Sequence, residues 1–168
     1  MSTLMARPAR ASVVDMVQIL LPGHANALGA AFGGSVVGWI DMCAAISAQR
    51  HCREQVVTAS MDDLHFHAPI KVGWTVSLKS RVIAAFNTSV EVGCTVHAED
   101  PRSGARTLTC TALLTFVALD EKGNRLKVPP LQLETEEEKL AAREGAKRRA
   151  DRLARKGVDL SWVDLLTK

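Results

Sequence analysis

The feature that most constrains the fold is a change of periodicity near residue 55. Before it, the segment from about Gly34 to His51 lacks Pro and runs of β-branched residues, which predicts one long helix. After it, polar and apolar residues alternate in four segments, as in strands with one buried face. These segments span residues 56–66, 75–86, 89–99 and 106–119. One helix and a run of strands predict an α+β domain whose helix covers one face of a sheet.

A further strand is expected before the helix. The apolar run from Val13 to Leu21 ends at Pro22 and Gly23, which punctuate a strand and begin a loop. The later strands are joined by short segments rich in turn residues, namely 68–73, 87–88 and 100–104. Short turns of this kind join antiparallel neighbours. We therefore predict an antiparallel sheet of about five strands.

The two ends of the chain differ from its middle. Residues 1–12 are basic and lack the apolar core and cleavage site of a secretory signal, so we expect a flexible tail. Residues 134–156 begin with Glu and end with Lys and Arg, which matches a helix dipole and predicts a charged helix. A small apolar tip follows at Trp162, Leu165 and Leu166. The domain itself is expected at residues 13–130, with the C-terminal helix and tail at 131–168.

Composition limits the class of protein. The chain has 168 residues, of which 47% are apolar and 23% charged, values ordinary for one globular domain. The apolar stretch from Ala30 to Ile46 is interrupted and shorter than the roughly 20 residues that cross a bilayer, so no membrane insertion is expected. The four cysteines form no C-x-x-C pair, which favours free thiols and a cytoplasmic location.

Asp41 is the strongest candidate for chemistry. It is the only charged residue of the predicted helix before Arg50, and Val37, Ala44 and Ala48 share its face. A helix that is apolar nearly all round is typical of burial, where a carboxylate is rare unless it is paired. Asp41 can therefore serve as a general base or a nucleophile. The alternative, a carboxylate that only accepts hydrogen bonds from a loop or a dimer partner, stays open.

Gly33 and Gly34 stand just before this helix. Glycine lets a ligand approach the free amides at a helix N-terminus, and such amides can stabilise an oxyanion. The alternative is close packing of the helix on the sheet, since a Gly pair alone is a weak signal.

Several short stretches together resemble a known family. They are Asn26-x-x-Gly29-x-x-Phe32-Gly33-Gly34, Trp39-Ile40-Asp41, Thr58-Ala59-Ser60-Met61-Asp62, Phe66-x-x-Pro69-Ile70-x-x-Gly73, Asn87-Thr88-Ser89 and the basic helix through Leu153. This ensemble, over roughly residues 13–156, resembles the hotdog acyl-CoA hydrolases, which include the cytosolic brain-type enzyme and bacterial single-domain relatives. The resemblance implies a sheet wrapped round one long central helix. It also implies an obligatory dimer and a trimer of dimers, a homohexamer, with active sites at the dimer interface.

The resemblance assigns roles to the candidate residues. It implies that Asp41 activates water or attacks the thioester, while Asn26, from the opposite fold, positions the water or the carbonyl. The amides of Gly33 and Gly34 would polarise that carbonyl. We expect hydrolysis of fatty acyl-CoA to CoA and free acid, without a metal or cofactor. Two alternatives stay open: an acyl-CoA-binding sensor on the same fold, and hydration chemistry using His24.

The remaining candidates concern CoA. Asn87, Thr88 and Ser89 match a turn that lies near the CoA phosphates in relatives, although a Thr-Ser pair at a strand start is more often plain turn chemistry. Arg50 and Lys71 are possible phosphate partners or ordinary exposed charges.

Two other patterns carry weaker signals. The basic run from Lys147 to Lys156 is interpreted as a solvated helix face, with CoA attraction or a subunit contact as alternatives. Nucleic acid is not expected, because no recognition motif is present and aromatic residues are only 4%. The His65-x-His67 spacing suits a metal, but no third ligand accompanies it, so a solvated or dimer-facing role is expected.

Overall fold

The computed structural model describes residues 4–154. Its elements are β1 (Arg7–Pro8), β2 (Val14–Ile19), α1 (Gly33–Cys52), β3 (Gln55–Phe66), β4 (Thr75–Ala85), β5 (Ser89–Glu99), β6 (Arg106–Leu119), β7 (Leu131–Gln132) and α2 (Glu136–Ala154). The predicted α+β order is confirmed, because period-two alternation and an unbroken apolar helix are local signals. Between residues 4 and 154, no helix combines the length and the apolarity needed to cross a membrane.

The main sheet is antiparallel, with strand order β2-β4-β5-β6-β3. Because β3 pairs with β6, the prediction that a short turn joins β3 to a neighbouring β4 is wrong. The connection runs from β3 at one edge of the sheet to β4, which lies beside the opposite edge strand β2. On its way the Ile70 carbonyl accepts from the Ala31 amide at 2.8 Å, and the Gly73 amide donates to the Leu20 carbonyl at 2.8 Å. These bonds replace the pairing that a hairpin would have supplied.

Helix α1 lies across the inner face of the sheet. Its buried side, which includes Val36, Ile40 and Cys43, packs in the core. The other side is open, and the side chains of Met42 and Ile46 are 50% and 39% exposed. The expectation that the helix is buried all round is therefore wrong for a single chain, because the sheet covers only one side of it. An apolar face of this kind indicates an interaction surface.

The N-terminal segment is ordered against the domain. Strand β1 pairs in parallel with β7, and Ala9 and Ser12 are buried. The Ser12 hydroxyl accepts a hydrogen bond from the Val82 amide at 2.9 Å. The flexible tail expected for residues 1–12 is therefore wrong from residue 7 onward, because this backbone pairing and burial hold the segment in place.

Helix α2 packs on the outer face of the sheet, opposite α1. A Cβ atom added to Gly145 would lie 2.9 Å from the Ala84 Cβ, so the close approach of α2 to β4 requires glycine there. The interpretation of the basic run as a solvated face is wrong for Arg148 and Arg152, which turn toward the sheet and pair with carboxylates. The predicted tip at Trp162, Leu165 and Leu166 lies outside the described residues, as do Arg155 and Lys156.

Candidate active site

Asp41 lies half-buried on the open side of α1. Its Oδ1 accepts a hydrogen bond of 2.7 Å from the Thr58 hydroxyl on β3. None of the ion pairs found within residues 4–154 includes Asp41. A carboxylate that is oriented by one neutral donor and not neutralised by a cation stays available as a base or nucleophile.

Thr58 is the functional candidate that sequence reasoning missed. It belongs to a stretch that carries the family resemblance, but its position in a strand gave no sign that it faces Asp41. The helix and β3 are joined by a very short connection, so two side chains 17 residues apart return to the same place. A hydroxyl on the strand that directly follows a carboxylate-bearing helix is the signal that could have found it.

The N-terminus of α1 provides free amide groups. The amides of Ser35 and Val36 bond to the carbonyl of Phe32, and none of the described side chains caps the helix. The amides of Gly33 and Gly34 therefore remain as the unpaired donors expected at a helix start. They also carry the positive end of the helix dipole. This geometry is compatible with binding an oxyanion.

The two glycines have different steric surroundings. A Cβ atom at Gly34 would lie 2.5 Å from the Phe32 ring, so that exposed ring would have to move to admit a side chain there. At Gly33 the same atom would lie 3.5 Å from the Phe66 ring, which is ordinary contact. Contact with the Phe32 ring therefore favours glycine at position 34 independently of any role in binding. The close-packing alternative weighed for the Gly pair explains part of the motif, although the packing is against Phe32 rather than the sheet.

Asn26 organises the loop before α1. Its side-chain Oδ1 accepts from the amides of Leu28 at 2.9 Å and Ala30 at 3.3 Å, an Asx-type turn that fixes the loop. Asn26 and Gly33 line a cavity of about 480 Å³, together with Phe66 and residues 68–70. Asp41 is absent from that lining. The chain therefore brings Asn26 together with Gly33, and Asp41 together with Thr58, as two separate pairs.

None of the residues predicted to contact CoA lines this cavity. Asn87 and Thr88 form the turn between β4 and β5, where their carbonyls accept from the amides of Val128 and Ala118. The Arg50 guanidinium donates to the Val13 carbonyl and so anchors the start of β2. These contacts give each residue a structural role, and their assignment to CoA stays a prediction.

The other CoA candidates stand on loops and strand ends. Ser89 is the first residue of β5 and pairs with Val117. The Lys71 ammonium lies 5.7 Å from the centre of the Trp74 ring, and its backbone bridges to Ala30 beside the Asn26 loop. Lys71 is therefore the basic candidate nearest to that loop in the backbone pairing, and its role toward CoA also stays a prediction.

A larger groove of about 790 Å³ lies on the opposite face of the sheet. Lys79, Ile83 and Leu113 line it, whereas Asp41 and Asn26 do not. We place the candidate site at Asp41 and the start of α1, because chemistry depends on the groups present and not on volume. His67 lines the smaller cavity beside Phe66, and its Nε2 lies 2.9 Å from the Thr111 hydroxyl.

Comparison with known proteins identifies the family. The sequence profile of the Thioesterase superfamily matches residues 28–105. An uncharacterized acyl-CoA thioester hydrolase of Bacillus subtilis, YkhA, is 39% identical over 172 residues, which cover 96% of this chain and 100% of that protein. This chain belongs to the thioesterase superfamily. The mouse acyl-coenzyme A thioesterase 11 is 44% identical over 140 residues, 83% of this chain. The chain spans only 23% of the length of that superfamily member.

Solved structures of superfamily members extend the similarity to three dimensions. An apo-hexameric acyl-CoA thioesterase matches with a TM-score of 0.88 at 36% identity, covering 93% of this chain and 100% of that one. The acyl-CoA hydrolase of Staphylococcus aureus, in complex with butyryl coenzyme A, coenzyme A and coenzyme A disulfide, matches with a TM-score of 0.85 at 31% identity. That match covers 97% and 99% of the two chains. The hotdog fold implied by the sequence resemblance is confirmed.

The Staphylococcus aureus enzyme has also been solved as single-residue variants. In three of these structures an Asp, an Asn or a Thr is replaced by Ala. They match this chain at 30% identity with TM-scores of 0.85 to 0.87.

Proposed function

We propose that this protein hydrolyses acyl-CoA thioesters to CoA and a free acid. The observation that carries the proposal is the Asp41 carboxylate held by Thr58 on the open side of α1. The intervals Asn26 to Asp41 and Asp41 to Thr58 are 15 and 17 residues. The three residues replaced in the Staphylococcus aureus hydrolase, Asn, Asp and Thr, stand at the same two intervals. This agreement supports a shared catalytic set.

In the general-base route, Asp41 takes a proton from water as the water oxygen bonds to the thioester carbonyl carbon. The carbonyl electron pair moves to oxygen, and the amides of Gly33 and Gly34 stabilise the resulting oxyanion. When the carbonyl re-forms, the carbon–sulfur bond breaks and the CoA thiolate takes a proton from the Asp41 carboxyl. In the nucleophilic route, Asp41 attacks the same carbon, CoA leaves, and water hydrolyses the anhydride. Neither route requires a metal or an organic cofactor.

We further propose that each site forms between two copies of the chain. Asp41 and Thr58 belong to one copy, and Asn26 with the Gly33–Gly34 amides to the other. The apolar side chains of Met42 and Ile46 follow Asp41 in the helix and are exposed in the single chain. Strand β3 also has one edge without a partner strand in the described chain. Both features support a dimer with a continuous sheet, and a trimer of dimers is the assembly that fits the hexameric relative.

We also propose a cytoplasmic location. The four cysteines are free and buried, as expected for a protein kept in a reducing compartment. Acyl-CoA in that compartment would supply the substrate.

A thiol-release assay across acyl chain lengths tests the proposed activity. The purified protein is mixed with acetyl-, butyryl-, octanoyl- and palmitoyl-CoA, and free CoA is followed with a chromogenic disulfide. We expect turnover of at least one substrate that depends on enzyme concentration. Saturable binding of acyl-CoA in calorimetry without thiol release would contradict hydrolysis and favour a sensor.

A further inference from the structure

Strand β3 contains two register breaks that bracket a short central segment. Pairing with β6 shifts between Thr58 and Ser60, and shifts again between Asp62 and His65. Only three consecutive residues, Ser60 to Asp62, pair regularly between the breaks. Asp63, inside the second break, has a φ of 48°, a left-handed conformation that a non-glycine residue rarely adopts. Both breaks therefore insert an extra residue, as β-bulges do.

The bulges decide which side chains face α1. Side chains alternate along a strand, so Ser60 and Asp62 share the outer face and a regular strand would place Thr58 there too. Instead Thr58 pairs with the core residue Phe116 and bonds to Asp41 on the inner face. Phe66, beyond the second bulge, likewise turns inward to contact Gly33. The orientation of the Thr58 side chain toward Asp41 thus depends on the register of the central segment.

An ion cluster under α2 holds that central segment. The Oδ2 atom of Asp62 accepts from Arg152 Nη1 at 2.9 Å and from the Ser60 hydroxyl at 3.1 Å. The same Arg152 nitrogen lies 3.2 Å from Oε2 of Glu91 on β5. Arg148 binds the other Glu91 oxygen at 2.6 Å.

The cluster resists displacement because Glu91 is fully buried. Its side chain has 0% exposure, and a buried carboxylate deprived of its cations is strongly unfavourable. Any slip of β3 by one residue would move Asp62 to the inner face and away from Arg152. The cluster therefore links α2, β5 and β3 into one register.

We propose that the Asp62–Arg152 pair is a register clamp, and that both are positioning residues which aim Thr58 at Asp41. The effect on hydrolysis rests on the proposed function, whereas the effect on β3 does not. In this account α2 is part of the scaffold of the active site, although it touches neither Asp41 nor Thr58.

The structural arm of the test uses hydrogen–deuterium exchange on the full chain. Arg152→Gln removes the clamp while Arg148 still pairs with Glu91. The matched control is Lys139→Gln, which removes the same charge from an exposed pair with Glu136 on the same helix. We expect faster exchange in residues 55–62 of Arg152→Gln and of Asp62→Asn, but not in the control. Equal exchange in all four proteins would overturn the clamp, whatever the activity of the wild type.

The kinetic arm asks whether the clamp acts through Thr58. We expect Arg152→Gln to lower kcat about 10-fold with KM little changed, because small misplacements of a catalytic set are costly. Arg152→Lys, which keeps the cation, should recover part of the loss. In a Thr58→Val background, Arg152→Gln should add less than about twofold, since coupled residues are not additive. A full 10-fold loss in both backgrounds would show that Arg152 acts by another route and refute the positioning role.

Discussion

Two carboxylates on opposite faces of one sheet show how differently this fold treats negative charge. Glu91, on the outer face, is fully buried and lies between Arg148 and Arg152. Asp41, on the inner side, is half-buried and receives one hydroxyl hydrogen bond from Thr58. The first carboxylate is neutralised and immobile, as structural ion pairs are. The second lies near a surface that a partner or substrate can cover.

Burial alone therefore does not distinguish a candidate catalytic carboxylate from a structural one. The pKa of Arg148 is raised mainly by its hydrogen bonds to Glu91, as expected for a guanidinium that stays paired with a carboxylate. What distinguishes Asp41 is a neutral orienting donor in place of a cation. Substitutions at the two carboxylates and their neighbours should separate these roles, with the largest effect at Asp41.

Asp41→Asn should remove the chemistry and leave the fold intact. The amide keeps the shape and can still accept from Thr58, but it cannot take a proton or attack a carbonyl. We expect kcat for thiol release to fall by about 10²- to 10⁴-fold. Thermal unfolding should be nearly unchanged, because Asp41 has no ionic partner within the described part of the chain. Turnover within about twofold of the wild type, at an unchanged melting temperature, would remove Asp41 from the mechanism.

Glu91→Ala should mainly lower the stability of the fold, whereas Asp41→Asn should mainly lower activity. Removing this carboxylate leaves two guanidinium groups without their shared partner, and we expect unfolding to become easier by about 3–5 kcal/mol. Urea denaturation followed by circular dichroism measures the change. Glu91→Gln, which keeps the volume, separates the charge effect from the cavity effect. A loss below about 1 kcal/mol for Glu91→Ala would mean that the cluster contributes little to the fold.

Thr58→Val tests the donor that orients Asp41. A hydrogen bond to a charged group is worth about 1.5–3 kcal/mol, so kcat should fall by about 10- to 100-fold. Thr58→Ser keeps the hydroxyl and should retain most of the activity. Thr95→Val, an exposed threonine on β5, is the matched control and should have no effect. If Thr58→Val and Thr95→Val release thiol at equal rates, the hydrogen bond from Thr58 to Asp41 does not contribute to catalysis.

The smallest expected effect is a change in the pH dependence of stability at His51. This side chain is buried and forms no ion pair within the described residues. Its ring is 1% exposed, Nε2 donates to the Pro129 carbonyl at 2.9 Å, and burial lowers its pKa. The unfolded chain therefore binds a proton first on acidification, and stability is lost as pH falls below the ordinary value of about 6.5. His51→Gln should reduce this loss by about 1 kcal/mol per pH unit in urea titrations. Identical pH slopes for the two proteins would contradict a buried neutral imidazole.

Much of the fold could be predicted because its signals are local. The bounds of α1, β5 and β6 follow from periodicity and turn residues alone. The position of β3 at the far edge could not be read, because a short connection that crosses the sheet looks like a hairpin turn in sequence. The ordering of residues 7–12 also depends on pairing with a distant strand, β7.

The candidate site was only partly predictable. Asp41 stands out because its helix carries no other charge before Arg50, and Asn26 entered through family resemblance. Thr58 escaped because a bulge reverses the face on which it lies. Glu91 alternates with Val90 and Val92 as an exposed residue would, yet α2 covers that face. A period-two pattern cannot show a bulge or a covering helix, since both depend on tertiary packing.

We propose that one functional site uses Asp41 of one copy and Asn26 of another, and mixed oligomers test this directly. Asp41→Asn and Asn26→Ala proteins, each purified and inactive, are mixed in equal amounts, dissociated with mild urea and reassembled. In mixed dimers one of the two sites regains both residues, so we expect about a quarter of wild-type thiol release after statistical exchange. If both residues act within one chain, every mixed dimer lacks a complete site. Exchange confirmed by mass spectrometry with no recovered activity would contradict the account.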